Sequence, residues 1–168
     1  MMPVLFTKLL LSNKLLSPTT VPVAVLLTGS LLLPVTAHAD NSADIARGRY
    51  LVTIAGCNDC HTPRYPETGG QVPEAQWLTG SQLGWKGPWG VSYAANLRLS
   101  VQSYSEDDWL KRASSPMLPP MPWFNLRDME ERDKRALYRY IKSLGPAGEP
   151  APIALAPGVE AKTPVVSF

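Results

Sequence analysis

The residues with the clearest chemical capability are the two cysteines and the histidine of the segment CNDCH, from Cys57 to His61. Two thiols three positions apart can each form a thioether bond to a vinyl group of haem, and the histidine that follows directly can bind the iron. The chain has no other cysteine, and its only other histidine is His38. The motif therefore predicts covalent attachment of one haem at Cys57 and Cys60, with His61 as an iron ligand.

Other interpretations of the motif fit the surrounding sequence less well. A thioredoxin-like redox pair is expected within a βαβ pattern, and no such pattern surrounds this CxxC pair. A structural zinc site needs four nitrogen or sulfur ligands, whereas Cys57, Cys60 and His61 supply three. A chance CxxCH in a globular protein is the remaining alternative, and the export signal and methionines described below speak against it.

The N-terminal segment has the features of a secretory signal peptide. Lys8 and Lys14 supply positive charge, an apolar stretch covers residues 21–33, and Ala-His-Ala at 37–39 is a small-x-small cleavage site. Cleavage there would remove residues 1–39, including His38. The apolar stretch is bounded by prolines and is shorter than the ~20 residues that span a bilayer. We therefore expect a periplasmic protein with no membrane span after processing.

The charge of the processed chain excludes some partners. Lys8 and Lys14 are two of the 16 basic residues, and all 14 acidic residues lie beyond the cleavage site, so processing leaves a balanced chain. No basic stripe is present, and nucleic-acid binding is not expected. The length suits one domain over residues 40–146. The Pro-rich tail, residues 147–168, is expected to be extended on the surface or partly disordered.

The first part of the domain predicts a helix followed by a long irregular segment. Asp40, Asn41 and Ser42 are candidate N-caps of a helix that runs to about Gly56. Gly48 inside it costs about 1 kcal/mol relative to alanine, which indicates close approach of another helix. Residues 62–96, rich in proline and glycine, should be mostly irregular and wrap a large cofactor. Four aromatic residues there could line the haem or fill the core: Trp77, Trp85, Trp89 and Tyr93.

The C-terminal part predicts two helices separated by a stiff loop. Ser105 is the candidate N-cap of a short helix that ends at Ala113, and four prolines exclude helix from the Pro-rich loop, residues 114–125. A last helix is expected from Asp128, with Gly145 and Pro146 after its end. Its apolar face would comprise Met129, Ala136, Leu137, Tyr140, Ile141 and Leu144.

The methionines are candidates for the second iron ligand. Met129 is in register with the apolar face of the last helix, which favours a place in the core. Met117 and Met121 both lie in the Pro-rich loop. The rigidity of that loop would hold a ligand in place, which argues against an open coordination position. The residues alone leave these two methionines as alternatives.

The order of these elements resembles that of class I c-type cytochromes. The segment GRYLVTIAGCNDCHT is similar to the N-terminal helix of that family, and MPWFNLRDMEERDKRALYRYIKSLGP is similar to its methionine loop and closing helix. GRYL before the motif and YAANL after it are similar to cytochromes that accompany bacterial periplasmic dehydrogenases. The resemblance implies an all-α cytochrome c fold with long irregular loops, in which the N- and C-terminal helices cross around one covalently bound haem. Gly48 would then lie opposite Tyr140 or an apolar neighbour.

The resemblance also implies the ligands and the function. The axial pair would be His61 and Met121, because the spacing from Met121 to the last helix is similar to that in the family, and Met117 is the alternative. The expected function is electron transfer by one haem c rather than catalysis, with a dehydrogenase, an oxidase or another cytochrome as redox partner. Two alternatives are a tightly bound subunit of a dehydrogenase complex and a small peroxidase or gas sensor with a displaceable distal ligand.

Overall fold

The computed structural model of the chain describes residues 36–168, with side chains described from Asn41 onward. The predicted signal peptide, residues 1–39, therefore lies outside the described residues except for the backbone of its last four. Helices α1 to α6 are Thr36–Ile54, Cys57–His61, Leu97–Ser100, Glu106–Ala113, Trp123–Asp128 and Glu131–Ser143. Strands β1 to β3 are Gly84–Gly87, Gly90–Tyr93 and Val165–Ser167, and two 3₁₀ turns are Glu74–Gln76 and Val101–Ser103. None of these helices has the length and hydropathy needed to cross a membrane.

The all-α prediction is wrong, because the mostly helical chain also contains a three-stranded mixed sheet. Strands β1 and β2 form an antiparallel hairpin, and β3 pairs with β1 in parallel, which gives the order β2-β1-β3. The hairpin lies in residues 62–96, predicted to be mostly irregular, and β3 lies in the tail. The strands have three or four residues each, and the hairpin strands contain glycine, so no alternating pattern marked them. Apart from β3, the tail has no helix or strand, and its backbone has positive φ at Gly148 and Gly158.

Helix α1 begins earlier than the sequence predicted. It starts at Thr36, so Asp40, Asn41 and Ser42 lie within the helix and do not cap it. No proline or glycine lies between Thr36 and Arg47, and nothing in the backbone stops the helix from extending past these polar residues. A chain cleaved after Ala39 would begin inside this helix.

Helices α1 and α6 pack against each other at Gly48, as predicted. A Cβ atom at Gly48 would overlap the carbonyl oxygen of Ala136 and would lie 2.6 Å from the Cβ atom of Tyr140. Only a residue without a side chain allows the two backbones to approach this closely. An ion pair joins the same two helices, with 2.8 Å between Nη2 of Arg47 and Oδ2 of Asp133. The buried core around this contact contains Leu51, Val52, Trp77, Leu78, Val101, Trp109, Ala113, Ala136, Leu137, Tyr140 and Ile141.

The segment between α4 and α6 differs in part from its prediction. Helix α4 begins as predicted, because the Ser105 side chain accepts a hydrogen bond from the backbone N–H of Asp108. The Pro-rich loop is non-helical through Pro122, but α5 begins at Trp123, since proline is compatible with the residues just before the first helical turn. Asp128 is the last residue of α5, where its carboxylate pairs with Arg127, and it does not cap α6.

The last helix has the predicted C-terminal end and a later start. Helix α6 begins at Glu131 and is followed by Gly145 with a φ of 70°, a backbone conformation that favours glycine. Met129 therefore lies between α5 and α6, and its predicted position on the apolar face of the last helix is wrong. The rest of the predicted apolar face of α6 includes four buried residues: Ala136, Leu137, Tyr140 and Ile141.

Replacing Gly48 by valine is expected to lower the free energy of unfolding by about 1–3 kcal/mol, because the new side chain would overpack the contact with α6. Denaturant unfolding measures the change. The variant Ala46→Val is the control, since Ala46 is exposed on the same helix and receives the same side chain. Equal losses in the two variants would contradict a close contact at Gly48.

The ion pair between α1 and α6 predicts a pH-dependent contribution to stability. Hydrogen bonds from Arg47 hold the pKa of the Asp133 carboxyl below its ordinary value, against the opposing effect of burial. A folded-state pKa below the unfolded one stabilises the protein above about pH 4, and the contribution is lost as the pH falls further. The variant Asp133→Asn should therefore be less stable than the wild type at about pH 7, with a smaller deficit at about pH 3. A deficit that does not shrink in acid would contradict this.

Candidate haem site

The CNDCH motif forms the short helix α2, which presents three reactive side chains to one cavity. Gly56 joins α1 to α2 with a φ of 70°, in the left-handed region where a side chain would be strained. Cys57, Cys60 and His61 occupy positions i, i+3 and i+4, which share one face of a helix. All three line a cavity of about 460 Å³. This volume lies within the ~300–1,000 Å³ typical of small-molecule and cofactor sites.

The ring of His61 is buried and held by a backbone carbonyl. Its Nδ1 atom lies 2.7 Å from the carbonyl oxygen of Ala95. Since a carbonyl only accepts hydrogen bonds, Nδ1 carries the proton and Nε2 of the neutral ring keeps its lone pair. Burial lowers the pKa of His61 and outweighs the opposing effect of Ala95, so the neutral form is favoured. Metal-binding histidines commonly donate their second ring N–H in this way.

The two cysteines are half-buried and are not joined to each other by a disulfide bond. Burial raises the pKa of Cys57 to about 11, and the carboxylate of Asp59 adds to the shift. Burial, followed by Asp59, also raises the pKa of Cys60. Both thiols are therefore protonated at neutral pH. Nowhere in residues 41–168 do three His, Cys, Asp or Glu side chains group as a metal site.

Three methionines line the same cavity: Met117, Met121 and Met129. Met129 was expected in the core as part of the last helix, but it lies outside α6. Met129 nevertheless packs against the buried core, whereas Met117 and Met121 do not belong to that cluster among the described residues. The backbone around Met121 is turned by two hydrogen bonds, from its N–H to Leu118 at 3.3 Å and from Trp123 to its carbonyl at 2.8 Å. The two methionines of the Pro-rich loop therefore remain the better candidates.

The rest of the cavity wall is mainly aromatic and aliphatic. Side chains from the hairpin, from the residues before α4, and from α4, α5 and α6 contribute to it, among them Trp85, Tyr93, Tyr104, Trp109, Leu126, Leu137 and Ile141. Two of the four aromatic residues noted in residues 62–96 thus line the cavity. Of the other two, Trp77 is buried in the core with its indole N–H donating to the carbonyl of Val72 at 2.8 Å. Trp89 packs against Phe168.

Sequence reasoning missed several residues of this site. Ala95 contributes a backbone carbonyl, which no side-chain pattern reveals. Ser92 lies on β2, a strand that was not predicted, and lines the cavity. Trp109 was assigned to a helix but given no role, although it lines the cavity and donates its indole N–H to the carbonyl of Lys134 at 3.0 Å.

The donor groups of this cavity fit a haem attached by two thioether bonds. The thiols are three positions apart on one helical face, and the adjacent imidazole has a protonated Nδ1 that leaves Nε2 for a metal. Thioether sulfurs from the Pro-rich loop line the same space, and its apolar wall suits a large flat cofactor.

Comparison of the chain with models of protein families, with curated proteins and with solved structures gave no match in any of the three. Its function is therefore inferred from the residues of the site and their geometry.

Proposed function

We propose that this chain is an electron-transfer protein with one haem c, attached through Cys57 and Cys60 and coordinated by His61 and Met121. The observation that carries the proposal is that α2 and the Pro-rich loop bring two thiols, an imidazole and a thioether to the wall of one cavity. When bound there, the haem would supply an iron that cycles between the ferric and ferrous states.

Each residue has a distinct part in this proposal. Cys57 and Cys60 anchor the cofactor to α2 by covalent bonds. Ala95 fixes the tautomer of His61, so that Nε2 is available as a ligand. Met121 supplies a soft sulfur, which favours the ferrous state and raises the reduction potential relative to more basic ligands.

Ligation by two side chains of the protein favours a carrier over an enzyme. With His61 and Met121 both bound to the iron, no coordination position would be left for a substrate. The partners that fit are redox proteins that exchange single electrons, such as a dehydrogenase, an oxidase or another cytochrome. The proposal includes export to the periplasm and cleavage after Ala39, which takes the chain to the compartment where c-type haem is attached.

Covalent attachment has a direct signature in the mass of the protein. In a bacterial host that attaches c-type haem, we expect a product with the mass of residues 40–168 plus one haem, because processing and two thioether bonds accompany export. Intact-mass spectrometry measures it, and the colour should remain with the chain after denaturation in acid-acetone. The double variant Cys57→Ala/Cys60→Ala is the control without attachment. A haem that acid-acetone extracts from the wild type would contradict the proposal.

Replacing each cavity methionine by leucine identifies the distal ligand. Leucine has nearly the volume of methionine but offers no sulfur, so packing is largely preserved. Met121→Leu should abolish the weak ferric charge-transfer band near the red end of the spectrum, which reports the iron–thioether bond, and should lower the reduction potential. Met117→Leu and Met129→Leu are matched controls and should retain the band.

The same measurement distinguishes the alternatives. Loss of the band in Met117→Leu or Met129→Leu alone would move the ligand to that residue. A wild-type protein without the band would have an open or weakly held distal position, which would favour the peroxidase or sensor alternative.

A further inference from the structure

The tail binds both edges of the β1–β2 hairpin. On one edge β3 pairs with β1, and the N–H of Gly84 donates to the carbonyl of Pro164 at 2.9 Å. On the other edge Val91 of β2 exchanges two backbone hydrogen bonds with Leu155, at 2.8 and 2.9 Å. The hairpin is thus enclosed between two parts of the same tail.

Side chains and close backbone contacts add to this pairing. The hydroxyl groups of Tyr93 and Thr163 lie 2.8 Å apart. A Cβ atom at Gly90 would overlap the carbonyl oxygen of Leu155, so the tail contacts the hairpin backbone directly. The backbone N–H of Phe168 donates a hydrogen bond to the backbone carbonyl of Lys86 at 3.0 Å.

The hairpin in turn contacts the Pro-rich loop through one buried side chain. Ser92 of β2 is 7% exposed, and its hydroxyl donates a hydrogen bond to the carbonyl of Pro119, two residues before Met121. The residues on either side of Ser92 are the two that the tail holds, namely Val91 by its backbone and Tyr93 by its hydroxyl. The tail therefore fixes the segment that presents Ser92 to the loop.

We propose that Ser92 is a positioning residue for Met121, and that the tail keeps Ser92 in place by holding the hairpin at both edges. This inference rests on the proposed function, since it concerns how firmly Met121 occupies its ligand position. An external ligand can bind the iron only in molecules from which Met121 has moved away. The apparent affinity of that ligand therefore rises with the fraction of molecules in which the Pro-rich loop is displaced.

Imidazole binding to the ferric, haem-loaded protein measures that fraction. The variant Ser92→Ala should bind imidazole roughly fivefold more tightly than the wild type, the factor expected for loss of one hydrogen bond of about 1 kcal/mol. Ser92→Thr keeps the hydroxyl and should retain the wild-type affinity. Ser143→Ala is the matched control, because the Ser143 hydroxyl donates to the carbonyl of Tyr140, at 2.7 Å, and Ser143 does not line the cavity.

The role of the tail is tested in the same titration. A chain that ends at Val159 lacks β3. The variant Tyr93→Phe removes only the hydrogen bond to Thr163, and it replaces the truncated chain in the experiment if that chain does not fold. Either change should raise the affinity for imidazole. Because both act through Ser92, the increase should be smaller or absent when Ser92→Ala is already present.

The outcomes separate this inference from the function on which it rests. A wild type that lacks the thioether band, or that binds imidazole as tightly as Met121→Leu, would overturn methionine ligation and with it the proposed function. If the wild type has the band but Ser92→Ala binds imidazole no more tightly than Ser143→Ala, the positioning role of Ser92 alone is overturned. Tail variants whose effects add fully to that of Ser92→Ala would overturn the route from the tail through Ser92.

Discussion

The close contact of α1 and α6 at Gly48 determines where the functional residues lie. Helix α1 leads through Gly56 directly into α2, so the position of α1 sets the position of the CNDCH motif. Helix α6 contributes Leu137 and Ile141 to the wall of the same cavity. A change in the separation of the two helices would therefore move the reactive side chains relative to the wall that faces them, which explains why a glycine with poor helix propensity is used there.

The backbone near Ala95, the hydrogen-bond partner of His61, is anchored to the end of α6 through a buried arginine. Arg98 is 6% exposed and donates to the backbone carbonyls of Ala75, Leu144 and Gly145. Two of these carbonyls lie at the end of α6, where the helix dipole favours a positive charge. Arg98 thus ties the segment that follows Ala95 to the C-terminal end of α6. This restrains the backbone whose carbonyl, at Ala95, accepts the hydrogen bond from His61.

Several features with a local physical cause were predictable, whereas the short hairpin and the pairing of strands distant in the chain were not. The CNDCH motif, the Ser105 cap and the end of α6 at Gly145 each have a local physical cause. Gly48 was informative because glycine lowers the stability of a helix, and close approach of a second helix is a reason to keep it there. The sheet had no such signal, because β1 acquires its third-strand partner from the far end of the chain. Met129 was misplaced because α5 extends through Asp128, the residue that was expected to cap the last helix.

The two proposed iron ligands are held by different means, and this difference bears on which one yields first. His61 belongs to a helix that also carries both attachment cysteines, and its ring is buried and hydrogen-bonded to Ala95. Met121 belongs to a loop without a covalent link to the cofactor, so its position depends on proline stiffness and on weak bonds such as the one from Ser92. A single hydrogen bond contributes about 1 kcal/mol, far less than a covalent anchor. If the chain binds haem as proposed, exchange of ligands at the iron should therefore begin on the methionine side, which is the side that the tail reaches through the hairpin and Ser92.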